Sequence, residues 1–133
     1  MAGRFLDPVL STLSKSLDLR MQQHGLATSN IANAQTPEYR AKRLDFEAAF
    51  NRVMESAEAQ TDGTAAFADD GDVAEGHIDE IDAPAWSEDG NSVNPDEEMV
   101  VLVTNNMLFN ATVEAMNRRL AMLEYAASDG GRG

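Results

Sequence analysis

Residues 94–131 read NPDEEMVVLVTNNMLFNATVEAMNRRLAMLEYAASDGG, and local signals at both ends mark one long helix. Asn94 can cap it, Pro95 suits the first helical position, Asp96 favours the dipole, and Glu97 stands where a capping box places its acid. Asp129, Gly130 and Gly131 supply the stop. Between them Leu102, Asn106, Phe109, Val113, Met116, Leu120, Leu123 and Ala127 recur at alternating spacings of four and three. The spacing predicts a helix from Pro95 to about Ala127, roughly 50 Å long at 1.5 Å per residue, with Asn106 the one polar member of its seam.

The N-terminal part repeats the pattern. Leu6, Leu10, Leu13, Leu17, Arg20, His24, Ala27 and Ile31 fall on the same alternating spacing. Pro8 is compatible with a first helical turn, so a helix is expected from about residue 8 to about residue 32, roughly 37 Å long. A shorter helix is expected from about Asp45 to Glu58, where Phe46, Phe50, Val53 and Ala57 keep helical spacing behind an aspartate that can cap it. Two long apolar stripes, at opposite ends of the chain, therefore seek partners in each other and in neighbouring subunits.

The middle differs in kind. Residues 1–53 carry seven Lys/Arg and five Asp/Glu, residues 54–98 carry fifteen acids and no Lys or Arg, and residues 99–133 carry three of each, so nearly all of the formal charge of −13 is central. The expected fold class is mainly α. Residues 1–57 supply the long N-terminal helix, an Asn/Thr-Pro turn and the short second helix. Residues 58–94 form an irregular acidic segment with room for a short hairpin. Residues 95–133 supply the C-terminal helix, and the two helical ends form one coiled-coil-like domain. Leu, Ile, Val and Phe total 27 of 133 residues, so a core within one subunit is thin although overall hydrophobic content is 43%.

Composition narrows the function classes. A chain of pI near 4.3 is repelled by phosphate backbones and anionic lipid, which sets aside nucleic-acid partners, and no apolar run is long enough for membrane insertion. Asp7, Lys15 and Asp18 interrupt the first twenty residues where a secretory signal would be apolar. The absence of cysteine removes disulfides and thiolate chemistry. His24 in a leucine seam and His77 in the acidic segment have no motif around them, so His24 is assigned to packing. Asp69, Asp70, Asp72, Glu75, Asp79 and Glu80 fail the calcium-loop spacing, since Ala74, Glu75 and Ile81 stand where a ligand, a glycine and a glutamate are required. Thr61-Asp62-Gly63-Thr64 has the wrong order for an aspartic-protease loop. No catalytic residue, metal site or cofactor is expected.

The remaining feature is Ser29-Asn30-Ile31-Ala32-Asn33-Ala34-Gln35-Thr36-Pro37-Glu38-Tyr39, which joins the first seam to an X-Pro turn. Asparagines are poor helix formers, Asn33 suits a left-handed cap, and Pro37 pushes Thr36 into an extended conformation. Those residues resemble the Ser-Asn-(Ile/Leu)-Ala-Asn…Thr-Pro-Gly-Tyr signature of the bacterial flagellar axial proteins, the rod, hook and hook-associated family. Leu17-Asp18-Leu19-Arg20, His24, Tyr39-Arg40-Ala41 and Asp45-Phe46 extend the likeness toward its proximal rod members. So do Asp89-Gly90-Asn91-Ser92-Val93, Glu98-Met99 and Leu120-Ala121-Met122-Leu123-Glu124-Tyr125-Ala126. The departure is Glu38, where the family has a glycine suited to the third position of a type II turn; a side chain there resists positive φ and favours type I.

The resemblance implies terminal helices that form a coiled-coil inner domain, stack into a hollow tube and leave the cell through the flagellar type III export apparatus. It implies other copies of the chain, other rod proteins, and components of the membrane ring and rod-ring adaptor as partners, in the basal-body rod that crosses the periplasm. Leu10, Leu13, Leu17, Ala27 and Ile31 are expected to pack against Leu102, Phe109, Val113, Met116, Leu120 and Leu123, within one subunit or between stacked ones. Arg20, His24, Asn30, Asn33 and Asn106 are the polar interruptions that set register, and Thr36, Pro37, Glu38 and Tyr39 form the motif turn. Rival readings are another axial protein, or an acidic coiled-coil adaptor or export chaperone.

Overall fold

The computed structural model describes residues 7–59 and 77–130. In chain order the elements are α1 (Pro8–Ala32), β1 (Lys42–Leu44), α2 (Phe46–Ala59), β2 (Ile78–Glu80) and α3 (Pro95–Gly130). The fold is mainly α, with two long terminal helices, as the seams require. The calcium-like run Asp69 to Glu75, and the Thr61–Thr64 loop, lie outside the described residues.

Each helix starts where its cap chemistry sits. Asp7 accepts the Val9 N–H at 3.1 Å with Pro8 at the first position, Asp45 accepts the Ala48 N–H at 3.1 Å, and Asn94 accepts the Asp96 N–H at 3.2 Å with Pro95 behind it. The first helix stops without a left-handed residue. Asn33 has φ −103° and ψ 16°, its backbone N–H reaches the Ser29 and Asn30 carbonyls at 3.1 Å, and its side chain donates to the Ser29 carbonyl at 2.8 Å. The left-handed cap expected at Asn33 is therefore replaced by a side-chain cap, which needs no positive φ.

α1 and α3 lie along each other, and α2 returns beside α1. β1 and β2 pair antiparallel with Lys42 opposite Glu80, Arg43 opposite Asp79 and Leu44 opposite Ile78. Only one strand of this pair lies in the acidic middle; its partner precedes α2, so the ladder is not a local hairpin. The small core sits where α1 meets α2 and the ladder: Leu19, Leu44 and Ala49 are buried, with Leu26, Phe46, Phe50 and Ile78 packed against them. Phe46 and Phe50, one helical turn apart, stack at 5.9 Å between ring centroids. Ala27, Ala41 and Val53 are also buried. Full burial of Leu19 or Val53 is worth about 1.5–3 kcal/mol, and few such side chains are found among the described residues.

Candidate assembly interface

The motif at the end of α1 is built around two asparagines. Asn30, wholly buried on the last turn, donates from Nδ2 to the Lys42 carbonyl at 2.8 Å and accepts the Lys42 N–H on Oδ1 at 2.9 Å. Its amide thus imitates a neighbouring strand and holds β1 against the helix. The Tyr39 hydroxyl donates to the same Oδ1 at 3.4 Å and lies 3.4 Å from the Ser29 hydroxyl. Asn91, from the far side of the acidic segment, donates to the carbonyls of Asn33 at 2.9 Å and Thr36 at 2.7 Å. These bonds satisfy carbonyls that the helix end and the proline turn leave open.

The turn itself departs from expectation. The Tyr39 N–H reaches the Thr36 carbonyl at 3.3 Å, and Glu38 has φ +62°, the type II geometry rather than type I. Among the described residues Glu38 is the one non-glycine at positive φ. The surrounding backbone over-determines it: the Glu38 N–H donates to Asp89 O at 2.8 Å, Ser92 N–H to Tyr39 O at 3.0 Å, and Ala41 N–H to Ser92 Oγ at 2.7 Å. Gly90, at φ +73°, lies under Glu38, whose Cα would stand 3.6 Å from a Cβ built there. Two strand-like bonds and one to a serine hydroxyl outweigh the cost of about 1 kcal/mol for a left-handed glutamate.

Along the α1–α3 seam the polar centre is Asn105, not Asn106. Asn105 is buried, donates to the Arg20 carbonyl at 2.8 Å, and lies 3.4 Å from the Arg20 guanidinium; Asn106 is exposed. Adjacent helical positions are about 100° apart, so the step inward from Leu102 is three residues rather than four at this point, while Leu102, Phe109, Val113 and Met116 keep to the expected seam. Arg20 also stacks over Phe46, 4.0 Å from the ring centroid, which ties the seam to the core. Burial lowers the Arg20 pKa from its ordinary value.

Leu10, Leu13, Leu17, Ile31, Leu102, Phe109, Val113 and Met116 are half-buried and Ala27 is buried, whereas His24, Leu120 and Leu123 are exposed. His24 is exposed among the described residues, where α1 turns toward α2 and the ladder through Leu19 and Leu26, a second apolar face that a single heptad seam does not include. Thr36, Pro37 and Glu38 are exposed and Tyr39 is half-buried.

Ion pairs close both ends of the helix pair. Glu98, buried on the first turns of α3, binds Arg43 of β1 at 2.9 Å. At the opposite end Arg119 holds Asp7 through Nε and Nη2. These hydrogen bonds lower the Asp7 pKa against the opposing effect of burial and raise that of Arg119. Sequence reasoning missed Asn91, Glu98, Asn105 and Arg119. Asn91 and Glu98 lay in quoted motifs without a role, and each of the four is defined by a partner at least 55 residues away.

Past Arg119, α3 continues to Gly130 with no other element beside it among the described residues, and Leu120, Met122, Leu123 and Tyr125 are exposed. On its N-terminal half Val100, Val103 and Met107 form a second exposed stripe at spacings of three and four. No helix among the described residues is long and apolar enough to cross a membrane, and no group of three or more His, Cys, Asp or Glu among them could hold a metal ion.

Comparison with known proteins gives this surface its context. The chain is 33% identical over 117 residues to the flagellar basal body rod protein FlgB of Cereibacter sphaeroides, covering 88% of this chain and 91% of that protein. The chain belongs to the FlgB family. FlgB of Salmonella typhimurium is 29% identical, covering 86% of this chain and 89% of its own, and FlgB of Bacillus subtilis is 29% identical, covering 91% and 94%. No family model matches the chain. The matched span includes most of the acidic segment, so the FlgB likeness reaches beyond the two motif blocks.

Proposed function

We propose that the chain is a structural subunit of the proximal rod of the flagellar basal body, and that it assembles with other copies of itself and with other rod proteins through its two long helices. The observation that carries this reading is the mismatch in helix length. With Asp7 fixed to Arg119, α3 outruns α1 by eleven residues, roughly 16 Å, and the overhang presents Leu120, Met122, Leu123 and Tyr125 to solvent. A single subunit has no described element to cover them, and a second exposed stripe at Val100, Val103 and Met107 compounds the deficit. Neighbouring helices supply the missing cover, and burial between copies stabilises a subunit whose own core is small.

In this reading the stacked helices form the wall of the tube, carry torque and continue the export channel. The acidic middle faces outward toward membrane-ring or rod-ring adaptor components, and the chain reaches the periplasmic rod through the flagellar type III apparatus. Its role is structural rather than enzymatic. Mass spectrometry of purified hook-basal bodies, with and without deletion of this chain, tests the reading. The chain is expected in the wild-type particles, and the deletion strain is expected to lack rods beyond the membrane ring. A swimming deletion strain whose parent particles lack the chain would turn the assignment toward an acidic coiled-coil adaptor.

A further inference from the structure

Where α1 ends and α3 begins, a groove of about 580 Å³ is lined by Ile81, Pro84 and Trp86 together with the carboxylates of Glu88, Asp89 and Glu97. No Lys or Arg lines it. Trp86 is 82% exposed, on a loop held by the Ser87 N–H to Pro84 O at 2.9 Å and by Ser87 Oγ to Asn91 O at 2.9 Å. An indole presented to water on a braced loop has the character of an interface anchor. Asp89 is engaged in its own turn, accepting from Ser87 Oγ and Asn91 N, while Glu88 and Glu97 are exposed. Asp82, also at the groove, pairs with Arg40 at 3.2 Å. The groove therefore suits a cation standing beside apolar side chains.

The chain contains such a segment, Arg4-Phe5-Leu6, immediately before the described residues. Every arginine of the described residues is already engaged: Arg20 with Asn105, Arg40 with Asp82, Arg43 with Glu98, Arg52 with Glu55, Arg118 with Glu114 and Arg119 with Asp7. Reach then fixes which copy supplies the segment. Asp7 is anchored at Arg119, and three residues extend at most about 10 Å from it. The groove adjoins Ala34, past the other end of a 25-residue helix about 37 Å long. A chain cannot fill its own groove.

We propose that Arg4, Phe5 and Leu6 of one copy dock in the Trp86 groove of the next, with Arg4 against Glu88 and Glu97 and Phe5 against the indole. The contact is head to tail, joining different surfaces of the two copies, and such contacts propagate into open helical assemblies instead of closed dimers. This inference rests on the rod reading and names the joint between successive subunits.

The test places the photo-crosslinking residue p-benzoylphenylalanine at Phe5 in the full chain and mixes it with ¹⁵N-labelled chain at concentrations where sedimentation shows association. Crosslinks between labelled and unlabelled copies are expected within residues 81–97. Arg4→Glu in the donor, or Glu88→Arg with Glu97→Arg in the acceptor, is expected to cut their yield about tenfold, and combining the two to restore part of it. Trp86→Ala is expected to lower it equally, with unchanged helical circular dichroism because the side chain is exposed. Crosslinks within one copy to Leu120–Tyr125, crosslinks elsewhere, or a chain that stays monomeric would overturn the proposal. If crosslinking fails while the deletion strain still lacks rods, the joint is wrong and the rod assignment stands; a swimming deletion strain removes both.

Discussion

The side chain of Asn30 pairs with the backbone of Lys42 on both its donor and its acceptor, at 2.8 and 2.9 Å, so one buried amide fastens β1 to the last turn of α1. Asn30→Leu keeps the volume and strands the Lys42 N–H and C=O. With two backbone groups left unpaired, the expected loss is about 2–4 kcal/mol, which chemical denaturation followed by circular dichroism will measure. Asn30→Asp retains the acceptor, loses the donor and buries a charge, so it should be no better tolerated. A loss below 1 kcal/mol for Asn30→Leu would show that β1 is held by something other than this amide.

Glu38 occupies a conformation that glycine adopts freely, at φ +62°. Glu38→Gly is expected to stabilise the chain by about 0.5–1 kcal/mol, the strain relieved less the extra freedom of glycine in the unfolded state. Glu38→Val should destabilise it, because a β-branched residue is poorly accommodated at positive φ. Gly90→Ala is also expected to destabilise: at φ +73° the added Cβ meets Glu38 Cα at an ordinary 3.6 Å, so the cost is conformational and not a clash. If Glu38→Gly lowers the midpoint instead, contacts of the glutamate side chain outweigh its backbone strain.

The contrast between these two positions explains what could be read from sequence. Both long helices and α2 were legible almost to the residue, because the seams together with Pro8, Asp45 and Asn94-Pro95 mark their starts; the structure adds Asp7 as the cap of α1, and all three caps bond residues two or three positions ahead. The β1–β2 ladder was not legible, since strands of three residues carry no periodicity and Lys42 pairs with Glu80 across α2. The composition of residues 29–33 marked a helix stop, but the partner that gives Asn30 its role is backbone, which leaves no trace in residue type. Glu38 failed differently: local preference was read correctly and then overruled by bonds from residues 89–92.

Asn105 and Asn106 separate the seam within a subunit from the surface outside it. Asn105→Ala removes the bond to the Arg20 carbonyl and a neighbour of the half-buried guanidinium, at an expected cost of about 1–3 kcal/mol. Asn106→Ala, on the exposed face, should stay within about 0.5 kcal/mol of wild type. Thermal melts of the two variants make the comparison. Asn106→Leu is then informative in a different assay: unaltered monomer stability with reduced motility and rod yield would assign that face to contacts between subunits. Equal losses at 105 and 106 would mean that Asn105 alone does not face α1.

The Asp7–Arg119 pair predicts how the helix ends respond to acid. Hydrogen bonds from the guanidinium hold the Asp7 carboxyl below its ordinary value of 3.8, so the folded state binds this proton less readily than the unfolded chain. The pair's contribution is present in full above the ordinary value and is lost as pH falls through the lowered one. Arg119, whose pKa is raised, stays protonated across this range. Asp7→Asn removes the charge while preserving a residue able to cap α1. The wild-type chain should therefore melt above the Asp7→Asn variant at pH 7, with a constant gap down to about pH 4.5 that narrows below 3.8 and closes once the carboxyl is protonated. Because Arg119 remains partly exposed, 0.5 M salt should shrink the gap at neutral pH without abolishing it. Melting curves of both proteins from pH 7 to pH 2 decide the matter: a gap that persists undiminished at the acid end would show that it does not come from the Asp7 charge and that the ion pair does not stabilise the junction of the two helices.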